Sequence, residues 1–425
     1  MTPQRTLSPT AAPIALWDLL RAAISFWGGS TQRDRVVREL KAMFAVREVW
    51  LVSSGKAAFT VILKALAASS TRRRVIIPAY TCFSVPSAIV KAGLDVVPCD
   101  IEPDTLDFKF SELESLLDER VLCVVPTHLF GRPADVDRVK RLCEGKGVLV
   151  VEDAAQAMGG QAGERRLGTL GDVAFFSLGR GKNLTCGTGG VILTRSLSIA
   201  EKLNDEYARL PEPSRGKVFR NWLEMLIMRC FIHPALYWLP AGLPFLGLGE
   251  TKFYTDFPIE RMDEVRAHLL QGWERRLATA NQGRVARANW LIDRLDLSRR
   301  GITAIAGNAA IYLRLPVLVR DREAKETVCR RSRAEGAGVS LNYPTTILAI
   351  PELAGQLSGL KYGGAQEAVD RLVTLPTHRF VKDCDLLKIA RVLENQGGRS
   401  IPTVSGGARP SGQPSDGRTC SVLKG

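Results

Sequence analysis

Apolar residues in the first half of this chain fall in short unbroken runs rather than in alternation with polar ones. The runs span 49–52, 75–78, 94–99, 121–126, 148–152, 173–176 and 191–194, and they are rich in Val and Ile. A strand that reads apolar at every position must be covered on both faces, so the pattern predicts a mostly parallel sheet between layers of helix. Helical periodicity fills the gaps at 56–68, 84–92, 111–117 and 134–145. Strand and helix in alternation is the order of a wound α/β domain.

The pattern changes past residue 255. From 260 to 295, Met262, Val265, Leu269, Leu270, Trp273 and Leu277 recur at helical spacing, which predicts one long helix connecting two domains. Residues 308–395 combine a strand-like 310–319, a helix-like 322–335 and a final helix 384–394, the mixture of a small α+β domain. Beyond 395, Gly, Ser, Pro and Arg replace apolar residues, and such a composition cannot bury enough area to order itself. The expected division is an N-terminal segment 1–34, a large domain 35–255, a connecting helix with small domain 256–395, and a flexible tail 396–425.

Residues 211–255 stand out within the large domain. Large apolar side chains dominate from 222 to 248, but Glu224, Arg229, His233, Pro234, Pro240 and Pro244 interrupt them. A spanning helix needs about 20 predominantly apolar residues, so this segment does not read as one. A subunit contact or a cover over an active site accounts for it; a peripheral membrane contact through 215–250 is the sharper alternative.

Composition narrows the class further. With 425 residues, 45% hydrophobic and 24% charged, the chain has room for two packed domains. Its nine cysteines include no CxxC pair and no Cys/His cluster at zinc spacing, which reads as reduced thiols in a cytoplasmic protein without a metal site. The mildly apolar stretch 11–27 is broken by Asp18 and Arg21 and lacks a cleavage site, against secretion. A net charge of +14 draws anions of every kind. No helix-turn-helix or basic-aromatic platform speaks for nucleic acid.

In open α/β sheets ligands bind beyond the carboxyl ends of the strands. Five segments fall there: 53–55, 80–83, 127–131, 153–156 and 177–182. The last is Ser177-Leu178-Gly179-Arg180-Gly181-Lys182, a glycine-flexed loop that follows Glu152-Asp153-Ala154-Ala155-Gln156-Ala157 in the chain. An amine near a carboxylate, among glycines and hydroxyls that could cradle a phosphate, is equipment for holding pyridoxal phosphate through a lysine. Nucleotide motifs do not compete, since a P-loop would need Gly and Ser or Thr where Phe176 and Asn183 stand, and a dinucleotide fingerprint would need Gly at Ile192.

With Gly168-Thr169-Leu170-Gly171-Asp172, Gly189-Gly190, Ile77-Pro78-Ala79-Tyr80-Thr81, His128-Leu129-Phe130-Gly131 and Leu375-Pro376-Thr377-His378, these segments resemble the DegT/DnrJ/StrS family. That family comprises pyridoxal phosphate-dependent sugar aminotransferases of fold type I, and the resemblance covers about 35 to 395. It implies that Lys182 holds the cofactor covalently and carries a proton, and that Asp153 pairs with the ring nitrogen. Gln156 would bond the ring hydroxyl, and Ser54, Gly55, Lys56 and Ser177 would hold the phosphate. His128 would contact substrate or the ring, with a satisfied structural histidine as the open alternative, and Asn183 would contact substrate. His378 reads as structural, and the Lys56 side chain as charge added to the site or as a solvated amine.

Two departures from the family pattern concern binding. Cys82 occupies the place of an aromatic that stacks on the cofactor, which leaves Tyr80 or Phe83 for that task. The motif that sends an asparagine to a neighbouring subunit reads Phe257-Pro258-Ile259-Glu260-Arg261-Met262, so only its Arg-Met is kept. A lysine at 182, where dehydratase relatives carry histidine, implies transamination. The expected activity is transfer of an amino group from glutamate to a keto-sugar on a nucleotide or lipid carrier, in polysaccharide or glycoconjugate synthesis, by a cytoplasmic homodimer. Two alternatives stay open: a pyridoxal phosphate enzyme with a non-sugar acceptor, and a non-catalytic membrane-associated scaffold of the same fold.

Overall fold

The computed structural model describes residues 5–26, 31–243, 251–295, 301–307 and 309–394. The expected tail 396–425, the first four residues and part of the 211–255 segment lie outside the described residues. A short amphipathic helix, α1 (Leu16–Ala23), precedes the main sheet and buries Leu19 and Ala22.

Seven strands form that sheet: β1 (Glu48–Val52), β2 (Arg74–Pro78), β3 (Asp95–Cys99), β4 (Val121–Val124), β5 (Leu149–Asp153), β6 (Val173–Ser177) and β7 (Gly190–Thr194). Their order across the sheet is β1-β7-β6-β5-β4-β2-β3. Only β7 runs antiparallel to its neighbours; the other pairings are parallel. Each expected run is a strand, for the expected reason. Trp50, Val52, Val173, Phe175 and Ile192 pack in one core cluster, while the intervening Val49, Leu51, Ala174, Phe176, Val191 and Leu193 pack in a second on the opposite face.

Helix α2 (Gly55–Ala67) crosses beneath the sheet and is buried over most of its surface. Ser54 caps it by accepting the Ala57 N–H at 3.1 Å, a contact worth about 1 kcal/mol. Phe59 stacks on Phe175 with centroids 4.9 Å apart and planes at 16°. Because both strand faces and the helix are apolar, the rim at the carboxyl ends of the strands is held rigidly.

Residues 211–255 contain helix α3 (Arg215–Phe231) and a one-turn helix Trp238–Ala241. Among the described residues no helix is long and apolar enough to cross a membrane. The expected single helix 260–295 is two: Glu264–His268, then α4 (Trp273–Arg294) after a break at Gly272, whose φ of 66° is left-handed. Periodicity concealed the break, because Val265, Leu269, Leu270, Trp273 and Leu277 all enter the same cluster.

A second, antiparallel sheet holds β8 (Thr303–Ala304), β9 (Arg314–Leu318) and β10 (Leu372–Pro376) in that order. The strand-like 310–319 is shorter than expected, since Tyr312 takes φ 43°. β10 was not anticipated, because it follows helix Gly363–Arg371 directly, without a turn residue to mark its start. Helices Arg322–Glu335 and Asp383–Glu394 share its core.

Candidate active site

The loops after β1, β2, β4, β5 and β6 meet at one rim, and Lys182 sits in the loop that joins β6 to β7. Burial pushes its amine below the ordinary lysine pKa and Arg314 adds to that, while Cys82 and Asp153 pull in the opposite direction. An amine so placed is neutral more often than one in water. Asp153 ends β5 and is 5% exposed. Burial raises its carboxyl pKa, against the Ala155 N–H, 3.0 Å from Oδ1, and the nearby Lys182 and His128. The structure therefore brings together the amine and the carboxylate that the sequence singled out.

A tight contact ties β6 to the start of α2. A Cβ built on Gly55 would lie 2.8 Å from Ser177 Cβ and 3.0 Å from its Oγ, so no larger residue fits there. The N–H groups of a first helical turn have no acceptor within the helix, and the helix dipole favours an anion beside them. The main-chain N–H groups of Gly55 and Lys56 and the hydroxyls of Ser54 and Ser177 thus gather at one helix start. The Lys56 side chain neither adds charge to it nor points to water. Its Nζ lies 3.2 Å from the Tyr254 ring centroid and 4.5 Å from that of Phe257.

Around the lysine lies a shell in which Tyr343 and Arg314, missed by sequence reasoning, join the expected Tyr80 and Gln156. Tyr343 is 4% exposed; its hydroxyl accepts from Gln156 Nε2 at 3.0 Å, and its ring lies near-parallel to Phe130 with centroids 6.5 Å apart. Gln156 is fixed at its other end by the Phe130 N–H, 3.1 Å from Oε1. Tyr80 has its hydroxyl in short hydrogen bonds with the Asn342 carbonyl and the Tyr343 N–H. Phe83 packs into the core beside Val85 and Ile89, and Cys82 remains half-buried in the neighbourhood of Lys182. Arg314, at the start of β9, donates to Ser340 Oγ at 3.3 Å. Burial lowers its pKa, and the phenols of Tyr343, Tyr237 and Tyr80 and the Cys82 thiol lie nearby. Tyr237 comes from the 211–255 segment, which therefore reaches the site.

Two expected substrate contacts are corrected. His128 is fully buried, and its Nδ1 accepts the Ala134 N–H at 2.9 Å. That assigns the ring hydrogen to Nε2, which donates to Glu152 Oε1 at 2.7 Å. Glu152 also accepts the Gly168, Leu170 and Gly171 N–H groups. Burial pushes its carboxyl up, but these donors outweigh burial and hold it below the usual range. With both ring nitrogens committed, His128 shapes the loop and has no atom left for a ligand. Asn183 is 3% exposed and donates to Asn281 Oδ1 at 3.2 Å, facing α4 rather than the rim. No local pattern marks either burial, because the partners lie far along the chain.

The family model for the DegT/DnrJ/EryC1/StrS aminotransferase family matches residues 25–222. A UDP-N-acetyl-3-dehydro-alpha-D-glucosamine 3-aminotransferase of Acidithiobacillus ferrooxidans is 26% identical over 321 residues, 75% of this chain and 76% of that protein. A dTDP-3-amino-3,4,6-trideoxy-alpha-D-glucose transaminase of Streptomyces venezuelae is 30% identical over 247 residues, 51% of this chain and 64% of that one. Among solved structures, Helicobacter pylori PseC, an aminotransferase involved in the biosynthesis of pseudoaminic acid, has a TM-score of 0.74 at 15% identity. The superposition covers 92% of this chain and 99% of that one, a likeness of fold.

Proposed function

Because the chain belongs to the DegT/DnrJ/EryC1/StrS aminotransferase family, we infer that it moves an amino group from glutamate onto a keto-sugar, using pyridoxal phosphate. One arrangement carries this reading: the half-buried amine of Lys182 beside the buried carboxylate of Asp153, with Ser177 against the start of α2. The two curated relatives above are named for UDP- and dTDP-linked hexoses, which supports an acceptor carried on a nucleotide diphosphate. A lipid carrier is the other form the acceptor can take.

Pyridoxal phosphate supplies, when bound, a ring that takes up the electron pair released as a C–H bond of the donor breaks. The chain's own groups do the rest. Asp153 keeps a negative charge where the ring nitrogen must stay protonated. Lys182 Nζ, neutral more often than an exposed lysine, takes a proton from one carbon and returns it to another. Ser54, Ser177 and the N–H groups of Gly55 and Lys56 hold the phosphate. Gln156 and Phe130 fix Tyr343, and Tyr343 with Tyr80 closes one side of the pocket. Arg314, a cation without an ion pair among the described residues, offers a partner to the carboxylate of the donor.

A homodimer in the cytoplasm completes the reading, and eight described cysteines without a disulfide support a reducing compartment. Borohydride treatment of the purified yellow protein, followed by peptide mapping, tests the assignment. The adduct should map to Lys182, and the Lys182→Ala variant should trap none. Addition of glutamate should shift the visible band and a nucleotide-linked keto-sugar should restore it. Recovery with keto acids alone would point to a non-sugar acceptor.

A further inference from the structure

Of the fifteen large apolar side chains exposed among the described residues, eleven fall within 16–24 and 219–243. On α1 they are Leu16, Trp17 and Leu20, with Ile24 directly after it, and Trp17 is 69% exposed. On α3 they are Phe219, Leu223, Ile227 and Phe231, spaced every fourth residue along one side. The two helices lie together: Trp222 Nε1 donates to the Leu19 carbonyl at 2.9 Å, and Phe26 meets Phe219 and Trp222 at centroid distances of 6.0 and 6.1 Å. Segments some two hundred positions apart therefore contribute to one outward face.

Helix α3 is apolar on two sides. Its inner side sends Met225 into the core and, with Met228, walls a cleft beside Arg180 and Thr185 of the lysine loop. On the outer side Leu223, Ile227 and Phe231 stay exposed among the described residues, although an apolar face of this extent is rare on a protein that meets only water.

We propose that the joined outer face of α1 and α3 docks on an anionic bilayer surface. Charge selects this occupant. Arg220 lies within the apolar arc of α3 and Arg215 at its border, and Arg21 borders the apolar side of α1, on a chain of net charge +14. The nearby acids are spent elsewhere: Glu224 pairs with Arg180 at 2.9 Å and Asp18 with Arg276 at 3.2 Å. Anionic headgroups compensate the arginine charges while the apolar side chains enter the interface, the two signals that stable peripheral attachment requires. Tryptophan at such a boundary is placed where its amphipathic ring is favoured.

The proposal stands apart from the proposed reaction, and its test needs no turnover. Full-length protein is floated with vesicles of phosphatidylcholine alone or mixed with phosphatidylglycerol. Two charge-inserting variants, Trp17→Glu with Ile24→Glu, and Leu223→Glu with Ile227→Glu, are floated beside it, with circular dichroism to show that they are folded. The parent should float with the anionic vesicles, less so at high salt, and each variant should lose on the order of tenfold in bound fraction. Parent protein that stays in solution overturns the proposal. So does equal flotation of the variants, which would place binding elsewhere on the basic chain. Sedimentation gives the last discriminator: a parent dimer that the variants split, with no vesicle binding, would make this face a contact between copies.

Discussion

Arg284 Nη2 donates to the main-chain carbonyl of Lys182 at 3.3 Å, joining α4 to the lysine loop. The same guanidinium reaches the carbonyls of Asn183 at 3.3 Å and Ala11 at 3.4 Å. It is 2% exposed, and burial with the nearby Arg287 lowers its pKa to about 10. A buried cation whose two terminal nitrogens are spent mainly on main-chain carbonyls is a clamp on backbone position.

Replacing it with methionine, Arg284→Met, keeps the volume and removes every one of those donors. Unfolding free energy should fall by about 2 kcal/mol, in the range for hydrogen bonds to a charged group. The turnover number should fall too, because the loop that carries Lys182 loses its anchor. Urea unfolding and glutamate half-reaction rates check the two effects separately.

Asp153→Asn should leave the protein folded yet cost on the order of a hundredfold or more in the half-reaction with glutamate. Its raised pKa means that ionisation in the folded state opposes folding once pH exceeds the acid range, so the amide should hold or raise the unfolding midpoint. A stable, cofactor-loaded and nearly inactive variant is the expected outcome.

Arg314→Met should act on the donor rather than the acceptor. The KM for glutamate should rise about tenfold or more, as expected for a lost charge-assisted bond of about 1.5 kcal/mol or more. The KM for the sugar substrate should change little. Steady-state kinetics with each substrate varied in turn decide it.

His378 predicts a pH dependence of stability. Its Nε2 faces the Ser8 carbonyl at 2.8 Å, and burial lowers its pKa to about 4. The unfolded chain takes up this proton near the ordinary histidine pKa, the folded chain only near 4. Stability is therefore lost as pH falls from about 6.5 to about 4, by at most about 3 kcal/mol from this group. Urea midpoints across that range, compared with His378→Asn, should show the slope diminished in the variant.

The sheet was legible because each strand is covered on both sides, so Val and Ile fill every position and no alternation obscures the run. Lys182, Asp153 and Ser177 were legible because each sits at or just past the carboxyl end of a strand, where glycines, hydroxyls and charge follow an apolar run. Arg284, Arg314 and Tyr343 left no such mark. Arginine within α4 reads as a solvated face until Asn281 and the lysine loop are known to cover it. Lys56 misled for a similar reason, since the rings that receive its amine lie some two hundred residues downstream. His128 showed its residue type but not the Glu152 carboxylate that occupies it.

The leading residues bind both halves of the molecule. Arg5 pairs with Asp385 at 2.6 Å, Leu7 enters the core of the three-stranded sheet, Thr10 fills the space where Gly181 has no side chain, and Ile14 joins the core of the large sheet. This stretch is therefore a tether whose length is fixed at both ends, with the reactive loop between its knots. Cutting it off would remove one tie between the lobes, leaving those of Tyr80 and Gln156 to Tyr343, and slacken the backbone next to Lys182, without touching a group that meets the substrate.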